Sequence, residues 1–184
     1  LTVDGAPATS SSGMSVAAHG ALSGQSGDML IAMPSYEFAR HANGTTRRAL
    51  RAAAGHYSVL AGFDTGSWLL ADAGLLNRRR ATIHWEELER FGEAFPDVQT
   101  ERARFVEEQD RITCSGAQAA FDVMSHRIGA RHGQALSTDH ESIENPHRAL
   151  ARPWLLARHD LPRQHPERPH VRRLALVVAV QVLR

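Results

Sequence analysis

Three short apolar runs recur along the chain, and each is closed by a turn residue. Asp28–Met33 is followed by Pro34, Tyr57–Ala61 runs into Gly62, and Arg111–Cys114 ends before Gly116. Continuous rather than alternating apolar character predicts strands buried on both faces, as in a parallel sheet. Between them the pattern changes to a helical period. Residues 45–55 predict a helix with Leu50 and the alanines facing inward, capped by Thr45 or Thr46 and ended by Gly55. A second helix is predicted from Thr65 to Ala73, closed by Gly74, and a third from Trp85 to Phe95, stopped by Pro96. Ala117–Gly133 predicts a long amphipathic helix with Phe121, Met124 and Ile128 along one face. Minor elements fill the gaps. Leu1–Gly5 reads as a strand end and turn, and Ser10–Ala18 and Ala81–His84 as short strands. Val98–Arg104 and Phe105–Val106 read as two further strands, or as a strand and an edge. Strands alternating with helices predict an α/β fold with a parallel sheet covered on both faces.

From Asn145 the character changes. The chain becomes rich in Arg, His and Pro, with Pro146, Pro153, Pro162, Pro166 and Pro169. This predicts an extended linker and then a helix from about His170 to Arg184. The organisation expected is therefore residues 1–144 as one domain and 145–184 as linker and helix. The apolar run Leu174–Val180 is too short for a bilayer span, which takes about 20 residues, so no membrane partner is expected.

The segment Gly62-Phe63-Asp64-Thr65-Gly66-Ser67-Trp68 joins a strand to a helix through a tight, Gly-flanked turn. Such a turn can hold one side chain at the C-terminal edge of a sheet, under a helix N-terminus, which is the geometry of a nucleophile elbow. Here the elbow presents Asp64, not Cys or Ser. A site of that shape without its nucleophile points from catalysis to binding. The plainer reading of Asp64 is a turn residue capping the helix that follows.

Just downstream come Ala73-Gly74-Leu75-Leu76-Asn77-Arg78-Arg79-Arg80-Ala81-Thr82-Ile83-His84-Trp85, then Phe95-Pro96-Asp97-Val98, Arg111-Ile112-Thr113-Cys114-Ser115-Gly116 and Phe121-Asp122. In order and spacing these resemble the class I glutamine amidotransferase-like domain of the PfpI type. They resemble most the N-terminal sensor domain of AraC-type transcription regulators. Members with Asp-Thr-Gly in place of Cys-Thr-Gly are similar to regulators of arginine, glycine betaine and carnitine metabolism. The resemblance covers roughly residues 1–140, and its specific part is the Ala-Gly-Leu-Leu to His-Trp segment. It implies a flavodoxin-like three-layer sandwich with a mainly parallel sheet, here lacking the family's first strand and helix, of which the strand normally supplies an acidic residue near the pocket. It also implies that the C-terminal segment leads toward a helix-turn-helix domain absent from this chain.

Composition narrows the chemistry further. The 184 residues fit one domain with a sizeable core. A net charge of +1 gives no global field toward nucleic acid or membrane. All 21 basic residues are Arg, as codon bias in a GC-rich genome would produce. The single cysteine, Cys114, excludes an internal disulfide and a Cys-based zinc site. The eleven histidines lack metal-binding spacing. No metal and no cofactor are expected, and the compartment expected is the cytoplasm.

The candidate ligand-binding residues are Asp64, Thr65, Gly66, His84, Trp85, Cys114 and Ser115. Asp64 would pair with a ligand cation, and the backbone N–H groups of Thr65 and Gly66 would face a ligand anion. His84 and Trp85 would form a pocket wall, with Trp85 a cation–π partner worth about 0.5–2 kcal/mol. The plainer reading of that pair is a packed aromatic beside a hydrogen-bonded His. Cys114 and Ser115 border the pocket in the resembled fold, although a buried inert thiol is the commoner state of such a cysteine. Trp68, one turn into the elbow helix, is expected in the core. Arg78-Arg79-Arg80 is either a phosphate patch or a solvated turn after a helix, and the turn is preferred.

These readings converge on a non-catalytic sensing domain of an AraC-type regulator that binds a small cationic or zwitterionic metabolite. Its expected partners are a small-molecule effector, a second copy in a homodimer, and DNA only through a domain absent here. The alternative is a PfpI-superfamily enzyme, a hydratase, hydrolase or deglycase, and a purely structural dimerisation domain is a third class.

Overall fold

The computed structural model describes residues 1–9, 13–34, 37–132 and 174–177. The chain divides into two compact units, Leu1–Ala120 with Arg172–Arg184, and Phe121–Val171.

The first unit is built on a five-stranded sheet. Its members are β3 (Gly27–Ala32), β4 (Tyr57–Phe63), β7 (Phe105–Glu108), β8 (Arg111–Cys114) and β9 (Leu174–Val177), in the order β7-β8-β4-β3-β9. All neighbours are parallel except β7 with β8. The apolar runs read as buried strands are β3, β4 and β8, and Leu30, Leu60 and Ile112 have at most 1% of their surface exposed. Register sets Ala32 beside Gly62 and Phe63 beside Cys114, so the three strands finish at one edge.

Two small pairs stand outside this sheet. β1 (Ala8–Thr9) and β2 (Ser15–Val16) are antiparallel, and β5 (Arg80–Ala81) and β6 (Gln99–Thr100) are parallel. The strand predicted over Ser10–Ala18 is thus reduced to β2, with Ser10–Ser12 outside the described residues. The strand predicted over Ala81–His84 ends at Ala81, and Val98–Arg104 contributes only β6.

Helix α1 (Gly44–Ala54) begins one residue before its predicted start, because Asn43 is its cap. The Asn43 side-chain oxygen accepts from Thr45 N at 3.0 Å and Thr46 N at 3.1 Å. Neither threonine caps it, and Thr46 is buried. Helix α2 (Gly66–Asp72) follows the elbow, and the one helix predicted over Trp85–Phe95 is a 3₁₀ turn, Trp85–Glu87, leading into α3 (Leu88–Ala94). Trp68 is in the core as predicted: its ring centroid lies 5.2 Å from that of Phe38 and 5.1 Å from that of Phe95.

Helix α4 (Ala117–His132) matches its prediction in extent. The described residues of the second unit are its positions 121–132. There Val123 and Ser125 are buried, whereas the predicted inner positions Phe121, Met124 and Ile128 are half-buried.

The predicted C-terminal helix needs correction where the chain is described. Leu174–Val177 forms β9, hydrogen-bonded in parallel to β3 with Met29 beside Leu174. An apolar run this short satisfies a strand as well as a helix, and an open edge on β3 rewards the strand by pairing its free N–H and C=O groups. The rest of that stretch, and the predicted linker, lie outside the described residues.

Candidate functional site

Strand β4 ends at Phe63 and the backbone reverses at Asp64, whose φ of 57° is left-handed. Asp and Asn adopt this region at low cost among non-glycine residues. The glycines on either side are required by contact, not by φ. A Cβ on Gly62 would lie 2.6 Å from Ser67 N, and one on Gly66 would strike the Ala32 carbonyl at the end of β3. The buried Thr65 hydroxyl donates to Pro34 O at 2.9 Å. The elbow is therefore packed against the end of β3 by backbone contact and bonded by one side chain to the segment that follows β3. Helix α2 has seven residues, a short dipole for the anion site predicted at Thr65 and Gly66.

Asp64 is half-buried and is not a helix cap: α2 has no side-chain cap hydrogen bond. Burial raises its carboxyl above the ordinary range, His84 pulls it down, and Glu86 pushes it up again. His84 is brought to the elbow by its backbone, its N–H donating to Asp64 O at 3.2 Å. Its Nδ1 accepts from the Glu86 backbone N–H at 3.4 Å, with the Glu86 carboxylate 3.7 Å away. On the other side, a Cβ added to Gly116 would sit 3.5 Å from His84 Cδ2, so the loop after β8 borders the imidazole.

The remaining predicted site residues divide. Trp85 is 69% exposed, its ring 5.6 Å from that of His84. It stands beside the imidazole at the surface and is not a packed wall. Cys114 is fully buried, its thiol facing Gly116 O at 3.9 Å, while Ser115 is half-buried and its N–H donates to Arg104 O. Of that pair, Ser115 is the residue open to solvent. Two members of the Arg78–Arg80 run are engaged with acids: Arg79 pairs with Asp110 at 3.1 Å and Arg80 bonds Glu101 through two contacts.

Sequence reasoning missed two participants. Glu86 was hidden by reading 85–95 as a single helix, which gives no reason to place a carboxylate against His84. Thr113 lies inside an apolar run, yet its hydroxyl accepts from Thr82 N–H at 2.9 Å.

With the elbow, the imidazole and the sheet order in view, comparison with known proteins becomes informative. No protein-family model matches the chain. The chain is 38% identical over 138 residues to the HTH-type transcriptional regulator CdhR of Pseudomonas aeruginosa, over 74% of this chain and 41% of that protein. Over that stretch it is homologous to HTH-type transcriptional regulators. The domain resembles in fold an AraC family transcriptional regulator from Pseudomonas putida, with TM-score 0.60, 24% identity and 78% of each chain covered. It also resembles a ThiJ/PfpI family protein from Pseudomonas syringae, with TM-score 0.63 and 20% identity, covering 92% of this chain and 64% of that one. These likenesses bear out the flavodoxin-like α/β fold expected of the PfpI-type domain. The domain spans about two fifths of the length of CdhR. Among the described residues no helix is long and apolar enough to cross a membrane.

Proposed function

We propose that this PfpI-type domain is the effector-sensing part of an AraC-type regulator, and that it binds a small cationic or zwitterionic metabolite at the elbow without catalysing a reaction. The observation that carries the reading is Asp64. A half-buried carboxylate held at a left-handed elbow, its pKa raised by burial, is an unfavourable place for a charge unless a cation comes to it. Glu86 adds a second negative group near the same place, and Trp85 offers an exposed indole face beside His84. Arginine, glycine betaine and carnitine fit this chemistry. DNA contact is assigned to a separate helix-turn-helix domain, the working assembly to a homodimer and the location to the cytoplasm.

Isothermal titration against those three compounds is expected to find at least one binder. Asp64→Asn is expected to weaken it by about 1.5–3 kcal/mol, the range for a lost charge-assisted hydrogen bond. Equal affinity in the variant would move the site elsewhere. Aminopeptidase and methylglyoxal substrates are expected to show no turnover. Turnover that survives Cys114→Ala and vanishes in Asp64→Asn would make the protein an enzyme.

A further inference from the structure

We infer that Thr113 is a positioning residue, which holds His84 over Asp64 through the backbone of Thr82; the inference rests on the elbow being the effector site. Strand β5 ends at Ala81, so Thr82 N–H leaves the backbone ladder while its residue remains 1% exposed. That N–H is satisfied by a side chain, the hydroxyl of Thr113, at 2.9 Å. Thr113 is itself 1% exposed and stands beside Gly62 of the elbow strand in the β4–β8 register. The Thr82 hydroxyl turns the other way and donates to Ala103 O at 3.0 Å. Two residues on, His84 N–H donates to Asp64 O at 3.2 Å.

The segment 82–84 is thus tied at one end to β8 and at the other to the elbow. The β8 tie depends on the Thr113 side chain, whereas the tie to the elbow is made between backbone atoms. Ile112 and Cys114, its neighbours on the strand, are fully buried. The hydroxyl at 113 is therefore the side-chain link from β8 to the segment that carries the imidazole to the elbow. Valine has the shape of threonine but no acceptor, and leaves Thr82 N–H buried and unpaired. Serine keeps the acceptor. His84 itself reports the outcome. Its Nδ1 accepts from Glu86 N–H, which places the ring proton on Nε2.

The test is a long-range proton–nitrogen spectrum of the full chain with nitrogen-15 in its histidines, at mildly alkaline pH, with His84 assigned by its loss in His84→Gln. The wild type is expected to show His84 as the single Nε2–H tautomer. Thr113→Val is expected to give an averaged pattern, and Thr113→Ser to restore the single tautomer. Affinity for whichever of arginine, glycine betaine or carnitine binds is expected to fall about tenfold in the Val variant and to stay within about twofold in the Ser variant, since about 1.4 kcal/mol corresponds to tenfold. A folded Val variant with an unchanged His84 signal overturns the inference, even if its melting temperature drops. A His84 signal that shifts in Val and returns in Ser, with affinity unchanged, supports the positioning role and counts against the effector site instead. If the Val variant does not fold, the Thr82 amide of the wild type decides. Slow hydrogen exchange there supports the bond to Thr113, and exchange at the rate of an exposed amide overturns it.

Discussion

Asp64 combines a left-handed φ of 57°, half-burial and a carboxyl raised above its ordinary 3.8. A carboxyl with a higher folded than unfolded pKa stabilises the fold fully only below the unfolded value. That contribution is lost as pH rises through the folded one, so at neutral pH the ionised group works against folding. Asp64→Asn is therefore expected to raise the melting temperature at neutral pH. The gain due to charge should shrink as pH falls toward 3.8, leaving what Asn contributes by tolerating the left-handed turn. Calorimetry across that range checks it, and a variant less stable at neutral pH would contradict it. His41 behaves in the opposite sense. Burial, and secondarily Arg40, lowers its pKa below 6.5, so its neutral form suits the fold. Stability is expected to decline as pH drops from 6.5 through the folded value, and His41→Gln to flatten that decline. Asp64 was legible in the sequence because glycines flank it. Glu86 and Thr113 were not, because what matters about them is which backbone N–H they meet or lie near, and no spacing rule encodes that.

At the scale of elements, the elbow and the start of α1 differ in how much a single change should cost. Gly66→Ala sets a methyl group against the Ala32 carbonyl, backbone that cannot swing aside. A loss of about 3 kcal/mol is expected. Asn43→Ala removes one acceptor from the end of α1 and is expected to cost about 1 kcal/mol. Urea unfolding of both variants, read at equal slope, tests the ranking. Strands β3, β4 and β8 could be read because each is a continuous buried apolar run, and α1 because it buries Leu50 and Ala53; α4 was legible in extent, but Val123 and Ser125 are buried there rather than the predicted stripe. The β7–β8 hairpin could not be read. Its turn places Gln109 at φ 55°, where a recognisable hairpin would carry Asn or Gly. The 3₁₀ turn before α3 was equally hidden, since what starts it is the His84 side chain accepting the Glu86 N–H.

For the molecule as a whole, charge is the guide. The net charge is +1, and Arg47, Arg79, Arg80 and Arg111 are all paired with acids. The 184 residues alone are therefore expected to give no shift of duplex DNA in gel titrations at low or moderate salt. A shift that weakens steeply with salt would reveal phosphate contacts. Sedimentation at tens of micromolar is expected to show a dimer, and a strict monomer would exclude the proposed assembly. The division of the sequence at residue 145 foresaw a change in composition, but not that Leu174–Val177 joins the sheet. A helix was the natural reading of that run because sequence shows no empty place beside β3. The pairing has a kinetic corollary. β3 meets β4 after one short helical crossover, whereas β9 comes from the far end of the described chain, so its contact carries the larger loop-closure entropy. The β3–β4 ladder can form early in folding, and the β3–β9 ladder closes late. In a refolding experiment with pulsed deuterium labelling, the β3 amides that face β4 should gain protection one kinetic phase before those that face β9.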